Sequence, residues 1–295
     1  MSEQIVTAYV KGFNSSIYRL LQQEDSRFSM CVRKENQKSE KEFFDQLGAV
    51  NSIEVNTRFP DSPVVQTPHD RRVATLRKFH LGDFFDSFDE MQTVIDPTSD
   101  YVQNFKAACN RDRDDVIIAA LLGTAYTGKE GTTAVTHTGG GGTQVAVNLG
   151  GSNTGLTILK LRAARKALRK AEVDFDREEV YIAVNAEAVD DLLGETQAVS
   201  SDYNAIKPLV DGTIAKFMGF TFVPSERLTL ASGTIRQLPV WTKSALLHTT
   251  GIDYTTRISE RGDKSFNWYG YARWAFGAVR MEEKKVVSIL IDEAV

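Results

Sequence analysis

The chain predicts an α+β fold on three observations. One long run near the middle, residues 96–122, has apolar residues at helical spacing. From residue 157 onward, helix-like and strand-like stretches alternate, and the segments after residue 254 read mostly as strand. The strand-like stretches are widely spaced, so long non-local pairings are expected, and no internal repeat is visible. The composition agrees with a globular protein. With 295 residues, 42% hydrophobic and 25% charged, the chain can bury a real core, at about 150 residues per domain. General disorder, collagen and polar low-complexity sequence are excluded.

Residues 1–52 read as an arm. Ile5, Tyr9, Phe13, Ile17, Leu20 and Leu21 recur at near-helical spacing, and the polar stretch Arg33 to Glu42 follows. Residues 53–80 read as extended: Ile53, Val55, Phe59, Val64 and Val65 are interleaved with Pro60, Pro63 and Pro68, which oppose both helix and central strand. A two-stranded ribbon or long loop is expected around 54–79, closed by the basic group Arg71, Arg72, Arg77 and Lys78. The long helix begins with Asp96 as N-cap and Pro97 in the first position. It buries Val102, Phe105, Cys109, Val116 and Ala120, and stops at Gly123. The charge block Arg111 to Asp115 at its centre is expected not to be wholly buried within one monomer.

Residues 123–155, rich in Gly and Thr, read as loop with one strand at 144–149, and Gly139 to Gly142 as a hinge or tight surface loop. A helix from Thr157 to about Glu172 buries Leu161, Ala164, Leu168 and Ala171, and Lys160, Arg162, Arg165, Lys166, Arg169 and Lys170 cover its other faces. Then come a strand at 180–184, a short helix at 186–193 and strands at 220–223 and 240–247. Further strands are expected at 254–258, 267–280 and 286–291.

The net charge of -4 excludes a surface built throughout for nucleic acid, so any phosphate contact must be a local patch. Helix 160–170 is the best candidate for one, with a solvated or subunit-facing surface as the other reading. Cys31 and Cys109 lack partners at motif spacing, which fits a reducing compartment. The first residues show no basic stretch leading into an apolar run, so no signal peptide is expected, and no apolar run is long enough to span a bilayer. Gly123 to Lys129 reproduces most of a phosphate-binding loop, but Glu130 stands where Ser or Thr would ligate magnesium, and the motif follows a helix instead of a strand. His69, His80, His137 and His248 have no metal-ligand spacing, and Ser225 and Ser244 lack the glycines of a nucleophile elbow. Arg261-Gly262-Asp263 is explained by a turn. No catalytic group, metal or cofactor is expected.

The order of elements carries a resemblance. The succession Val180 to Asn185, a short helix ending Leu192-Leu193, then Lys216-Phe-Met-Gly219-Phe220, Val223-Pro-Ser225 and Leu228 resembles the axial domain of tailed-bacteriophage major capsid proteins. Phe276 to Arg280 followed by Val286 to Ile289 is similar to their C-terminal strands. The resemblance implies the Hong Kong phage type capsid fold: an N-arm at 1–52, an E-loop at 53–80, a peripheral domain at 81–125 and 252–283 carrying the spine helix, and an axial domain at 126–251 and 284–295. It implies a major capsid protein, not an enzyme, that self-assembles into hexamers and pentamers of an icosahedral shell around double-stranded DNA. An encapsulin-like compartment is the alternative within the fold; a soluble nucleotide-binding enzyme and a DNA-binding protein are the alternatives outside it. Some relatives cross-link through an E-loop lysine, and residues 54–77 contain none, so a non-covalent shell is expected. The implied partners are other copies of the chain, a separate scaffolding protein, a portal, a decoration protein and DNA met without sequence preference, with no membrane. The implied location is the virion capsid, built in the host cytoplasm. On this reading Ile5, Tyr9, Phe13 and Ile17 dock on a neighbour. Arg58, Arg71 and Arg72 belong to the contact surface, Arg71 and Arg72 meeting Asp112, Asp114 and Asp115 of an adjacent copy.

Overall fold

A computed structural model describes residues 22–59, 61–85, 97–194, 216–264 and 266–294. The expected arm contacts Ile5, Tyr9, Phe13 and Ile17, and the expected N-cap Asp96, lie outside them. The chain divides into two compact units. Among described residues, the smaller holds 22–25, 78–85, 97–112, 252–264 and 266–274, and the larger holds 26–59, 61–77, 113–194, 216–251 and 275–294.

The larger unit is organised by a seven-stranded sheet. Its strands are β7 (Thr143–Val145), β8 (Val180–Val184), β9 (Lys216–Phe217), β10 (Phe220–Pro224), β11 (Leu230–Ser232), β12 (Ile235–Thr242) and β15 (Val286–Asp292). The order is β7-β15-β12-β8-β10-β9, with β11 on the edge of β12. All five residues of β8, Val-Tyr-Ile-Ala-Val, are buried, which is why it reads as an unbroken apolar run instead of an alternating one. Helix α2 (Ile158–Lys170) packs Leu161, Ala164 and Leu168 into this core, and Thr157 caps it by accepting from the Lys160 amide. Helix α3 (Ala186–Gly194) adds Ala188 and Leu192.

Lys160 departs from the expected basic surface. It is fully buried, and its ammonium donates to the carbonyls of Thr154 (2.6 Å), Gly155 (2.9 Å) and Leu290 (3.0 Å). Burial pulls its pKa down to about 8. It ties the start of α2 to β15 and is unavailable to a ligand.

Residues 26–37 also depart from an under-packed arm. Phe28, Cys31 and Val32 lie in the core. The indole of Trp241 stacks between Phe28 (5.8 Å) and Tyr181 (5.9 Å) and donates to the Cys31 carbonyl at 2.9 Å. Burial of a Phe of this kind contributes about 1.5–3 kcal/mol. Strand β1 (Arg33–Asn36) then pairs in parallel with β13 (Leu246–Arg261), Arg33 opposite Leu247. Burial also raises the Cys31 thiol to about 11, so it is inert at neutral pH.

A second sheet, β2-β3-β5-β6, joins β2 (Lys41–Leu47), β3 (His69–Thr75), β5 (Ala125–Thr127) and β6 (Thr133–Val135). The near phosphate-binding loop is the β5–β6 hairpin: Gly128 and Gly131 take positive φ, and the Gly131 amide donates to the Gly128 carbonyl. The four-glycine run is not an open hinge. A side chain at Gly140 would lie 2.5 Å from Cγ of Glu283, so the turn is seated on that residue.

Helix α1 (Pro97–Leu122) contributes to both units. Phe105, Cys109 and Val116 are buried as expected, joined by Ile117, Ile118 and Leu121. Strands β13 and β14 (Asn267–Arg280) lie between β1 and β4 (Arg77–Phe85) in a third sheet. In the smaller unit these strands carry an aromatic ladder: Phe84 on Tyr269 (4.7 Å), Tyr269 on Tyr271 (6.3 Å) and His80 on Tyr271 (6.4 Å). The Arg261-Gly-Asp263 tripeptide is the turn after β13, closed by an Arg261–Asp263 ion pair.

Candidate functional site

Among the described residues of the larger unit, the longest exposed segment is the connection between β2 and β3. The two strands pair antiparallel from Lys41 opposite Thr75 to Leu47 opposite His69. The Gly48 amide then donates to the Pro68 carbonyl at 2.8 Å and closes the ladder. The ribbon therefore lies lower than expected: its strands are 41–47 and 69–75, and no described residue of 49–67 is in a strand. Pro63 and Pro68 have no amide hydrogen to give a ladder, which accounts for the early end. Every described residue from 48 to 68 is exposed. Phe59 is 91% and Val64 90% exposed, with Leu47, Val50, Ile53 and Val55 also outward. Apolar side chains clustered on one extended segment mark an interaction surface.

The base of this ribbon is anchored by buried charge. Arg72 on β3, 6% exposed, pairs with Glu283 at 2.9 Å, and Glu283 also faces Arg280 at 3.5 Å. Arg280, wholly buried on β14, donates to the carbonyls of Leu121 (3.0 Å) and Gly123 (2.7 Å) at the end of α1. A cation there satisfies open carbonyls and complements the negative end of the helix. One carboxylate thus links the foot of the exposed segment to the end of the long helix.

The expected pairing of Arg71 and Arg72 with the helix aspartates of an adjacent copy is corrected for the enclosed residues. Arg72 is buried against its own Glu283. Asp114 is fully buried and accepts from the Ser26 hydroxyl (2.5 Å) and the amides of Arg27 (3.0 Å) and Phe28 (3.4 Å). A carboxylate in the centre of a helix becomes internal because it satisfies amides of a turn that would otherwise be buried without acceptors. Asp115 forms a bidentate pair with Arg227 of the same chain, and Asp112 accepts from the Trp274 indole at 3.1 Å. Arg71 is half-exposed beside Asp45 (3.3 Å) and over the Phe43 ring (5.4 Å); Arg58 is exposed over Phe59 (5.8 Å). Sequence reasoning missed Glu283 and Arg280, whose signal was only a charged residue three positions from another.

Among the described residues there is no group of three His, Cys, Asp or Glu placed to hold a metal, and no helix long and apolar enough to cross a membrane. His137 is buried in hydrogen-bond contact with the Val286 carbonyl (2.9 Å), and His248 with that of Gly277 (3.0 Å). Burial lowers the His137 pKa and favours the neutral ring.

The family model described as phage capsid protein matches residues 5–293. No curated protein matches the chain. Among solved structures, the capsid of cyanophage P-SCSP1u is similar at a TM-score of 0.76 and 15% identity, over 97% of this chain and 94% of that one. The head of Helicobacter pylori bacteriophage KHP40 is similar at 0.73 and 10% identity, over 99% and 98%. A Mycobacterium phage Che8 structure is similar at 0.71 and 16% identity, over 95% and 96%. At these identities the likeness is one of fold, and the fold is the one the element order implied.

Proposed function

We propose, given that this chain belongs to the phage capsid protein family, that its copies join into the hexamers and pentamers of an icosahedral shell enclosing double-stranded DNA. A phage capsid protein is a structural subunit, and its chemistry is association. The observation that carries the reading is the exposed segment 48–68, whose Phe59 and Val64 are almost wholly in water in a single chain. Such a segment gains stability only when a neighbour covers it. It serves as the E-loop, with Arg58 and Arg71 at its tip and foot facing the adjacent copy, while Ile5, Tyr9, Phe13 and Ile17 of the N-arm dock on another. The smaller unit takes the role of the peripheral domain and most of the larger unit that of the axial domain.

The family match and the phage capsids among the structural neighbours favour a virion over a protein-cargo compartment. Further partners on this reading are a separate scaffolding protein, a portal and a decoration protein. The absence of lysine between 54 and 77 supports a non-covalent shell, assembled in the host cytoplasm.

The test replaces Phe59→Ser and Val64→Ser together. Both positions are exposed, so the subunit keeps its stability within about 0.5 kcal/mol. Particle yield by sedimentation and electron microscopy falls. Normal particles from the double variant would remove the exposed segment from assembly.

A further inference from the structure

Helix α2 has six cations, and Lys160 is turned inward. The other five, Arg162, Arg165, Lys166, Arg169 and Lys170, line one open cleft of about 640 Å³ together with Met218. Among the described residues no carboxylate lines it, and none of the five has an ion-pair partner. In a chain of net charge -4 this is a strong local concentration of one sign. Arg162, Lys166 and Lys170 recur at every fourth position, about 6 Å apart along the axis, with Arg165 and Arg169 in the adjoining row. The guanidinium groups of Arg165 and Arg169 lie over the Phe175 ring at 5.4 and 5.9 Å, which limits their freedom. Nε of Arg165 is enclosed without a partner.

We propose that this cleft binds the phosphate backbone of double-stranded DNA without sequence preference. The proposal rests on the capsid reading, which supplies the DNA. An acidic protein surface fits less well. Protein interfaces are organised around a desolvated apolar anchor and are depleted of charge at their centre. Among the described residues this cleft offers five cations and one apolar residue, Met218. A regular row of cations with no hydrogen-bond acceptor among them suits a regular row of anions.

The experiment measures binding of duplex DNA of mixed sequence to the full-length subunit by fluorescence anisotropy between 50 and 200 mM salt. Arg162, Lys166 and Lys170 are exposed, so the triple variant Arg162→Gln, Lys166→Gln, Lys170→Gln keeps the helix, Gln being a comparable helix former. Each phosphate contact contributes about 0.9 to the slope of log K against log salt. The triple variant's slope is therefore shallower by about 2.7, and the fourfold salt step weakens the wild type about 40-fold more than the variant. A control with the same charge change elsewhere, Lys38→Gln, Lys41→Gln, Lys264→Gln, keeps the wild-type slope. Equal slopes in wild type and triple variant overturn the proposal, as does an equal loss in the control. Loss of binding to a polyglutamate peptide with an unchanged DNA slope overturns it in favour of an acidic protein partner. Particle formation is scored separately by electron microscopy: failure of the wild type to assemble sinks the capsid reading, while the DNA slope still decides the cleft.

Discussion

Neutralising Glu283 should be among the most damaging single changes in the larger unit. The carboxylate faces Arg72 at 2.9 Å and Arg280 at 3.5 Å, and all three side chains are at most 7% exposed. At an effective dielectric constant of about 20, each attraction is about 5–6 kcal/mol before desolvation is counted. Removing one partner of a buried pair typically costs about 3–5 kcal/mol, because the remaining charge is stranded. Glu283→Gln strands two cations, so a loss of about 4–5 kcal/mol is expected. Arg72→Met should cost far less, about 1–2 kcal/mol: it leaves Arg280 and Glu283 in a one-to-one pair and removes the Nε and Nη1 donors, which have no partner. The double variant should be more stable than Glu283→Gln alone, since Arg280 retains the carbonyls of Leu121 and Gly123. Urea unfolding of the dissociated full-length subunit measures all three. The reasoning fails if Arg72→Met costs as much as Glu283→Gln, or if Glu283→Gln costs less than about 1 kcal/mol.

Asp114→Ala leaves the amides of Arg27 and Phe28 without their acceptor and should cost about 3 kcal/mol; trypsin should then cut after Arg27 faster than in the wild type, and unchanged cleavage would count against the assignment. Lys160 has its pKa lowered from 10.5 to about 8, so between those values the unfolded chain binds more protons and stability rises with pH across that window. Lys160→Met should flatten that rise, read as urea midpoints at pH 7.5, 9 and 10.5; a rise that persists in the variant excludes Lys160 as its source. Deleting residues 1–21 should leave a folded subunit, because the contacts of Gln22 and Glu24 with Arg111 and Asn110 remain, but one that assembles poorly; wild-type particle yield would contradict a docking role for Ile5, Tyr9, Phe13 and Ile17.

Much of the scaffold was legible because burial writes itself into local pattern. The long helix showed its apolar face and Gly123 stop, and β8 showed an unbroken apolar run because both its faces are covered. The exposed segment was legible for the opposite reason: its prolines and scattered apolar residues fit no self-contained element. Residues 26–37 were not legible. Phe28, Cys31 and Val32 are few apolar residues in a polar stretch, and the elements that bury them, β12 and β13, lie more than 200 positions away. Buried ions were the least legible. Arg72, Asp114 and Lys160 look like surface charges until their distant partners are known, so the candidate contact surface included two residues that are internal.

The parallel pairing of β1 with β13 has a consequence in time. Arg33 cannot meet Leu247 until the chain between them has been made, which takes about 10–40 s at ordinary rates of synthesis. Strand β15 is an interior strand, set between β7 and β12, so the seven-stranded sheet is split until it arrives. A nascent or interrupted chain therefore lacks the closed core on which its exposed segment is mounted. Only a subunit that has received β13 and β15 has that core beneath the segment, so under the proposed role of the segment entry into a growing shell waits until synthesis has passed the point at which the fold can close.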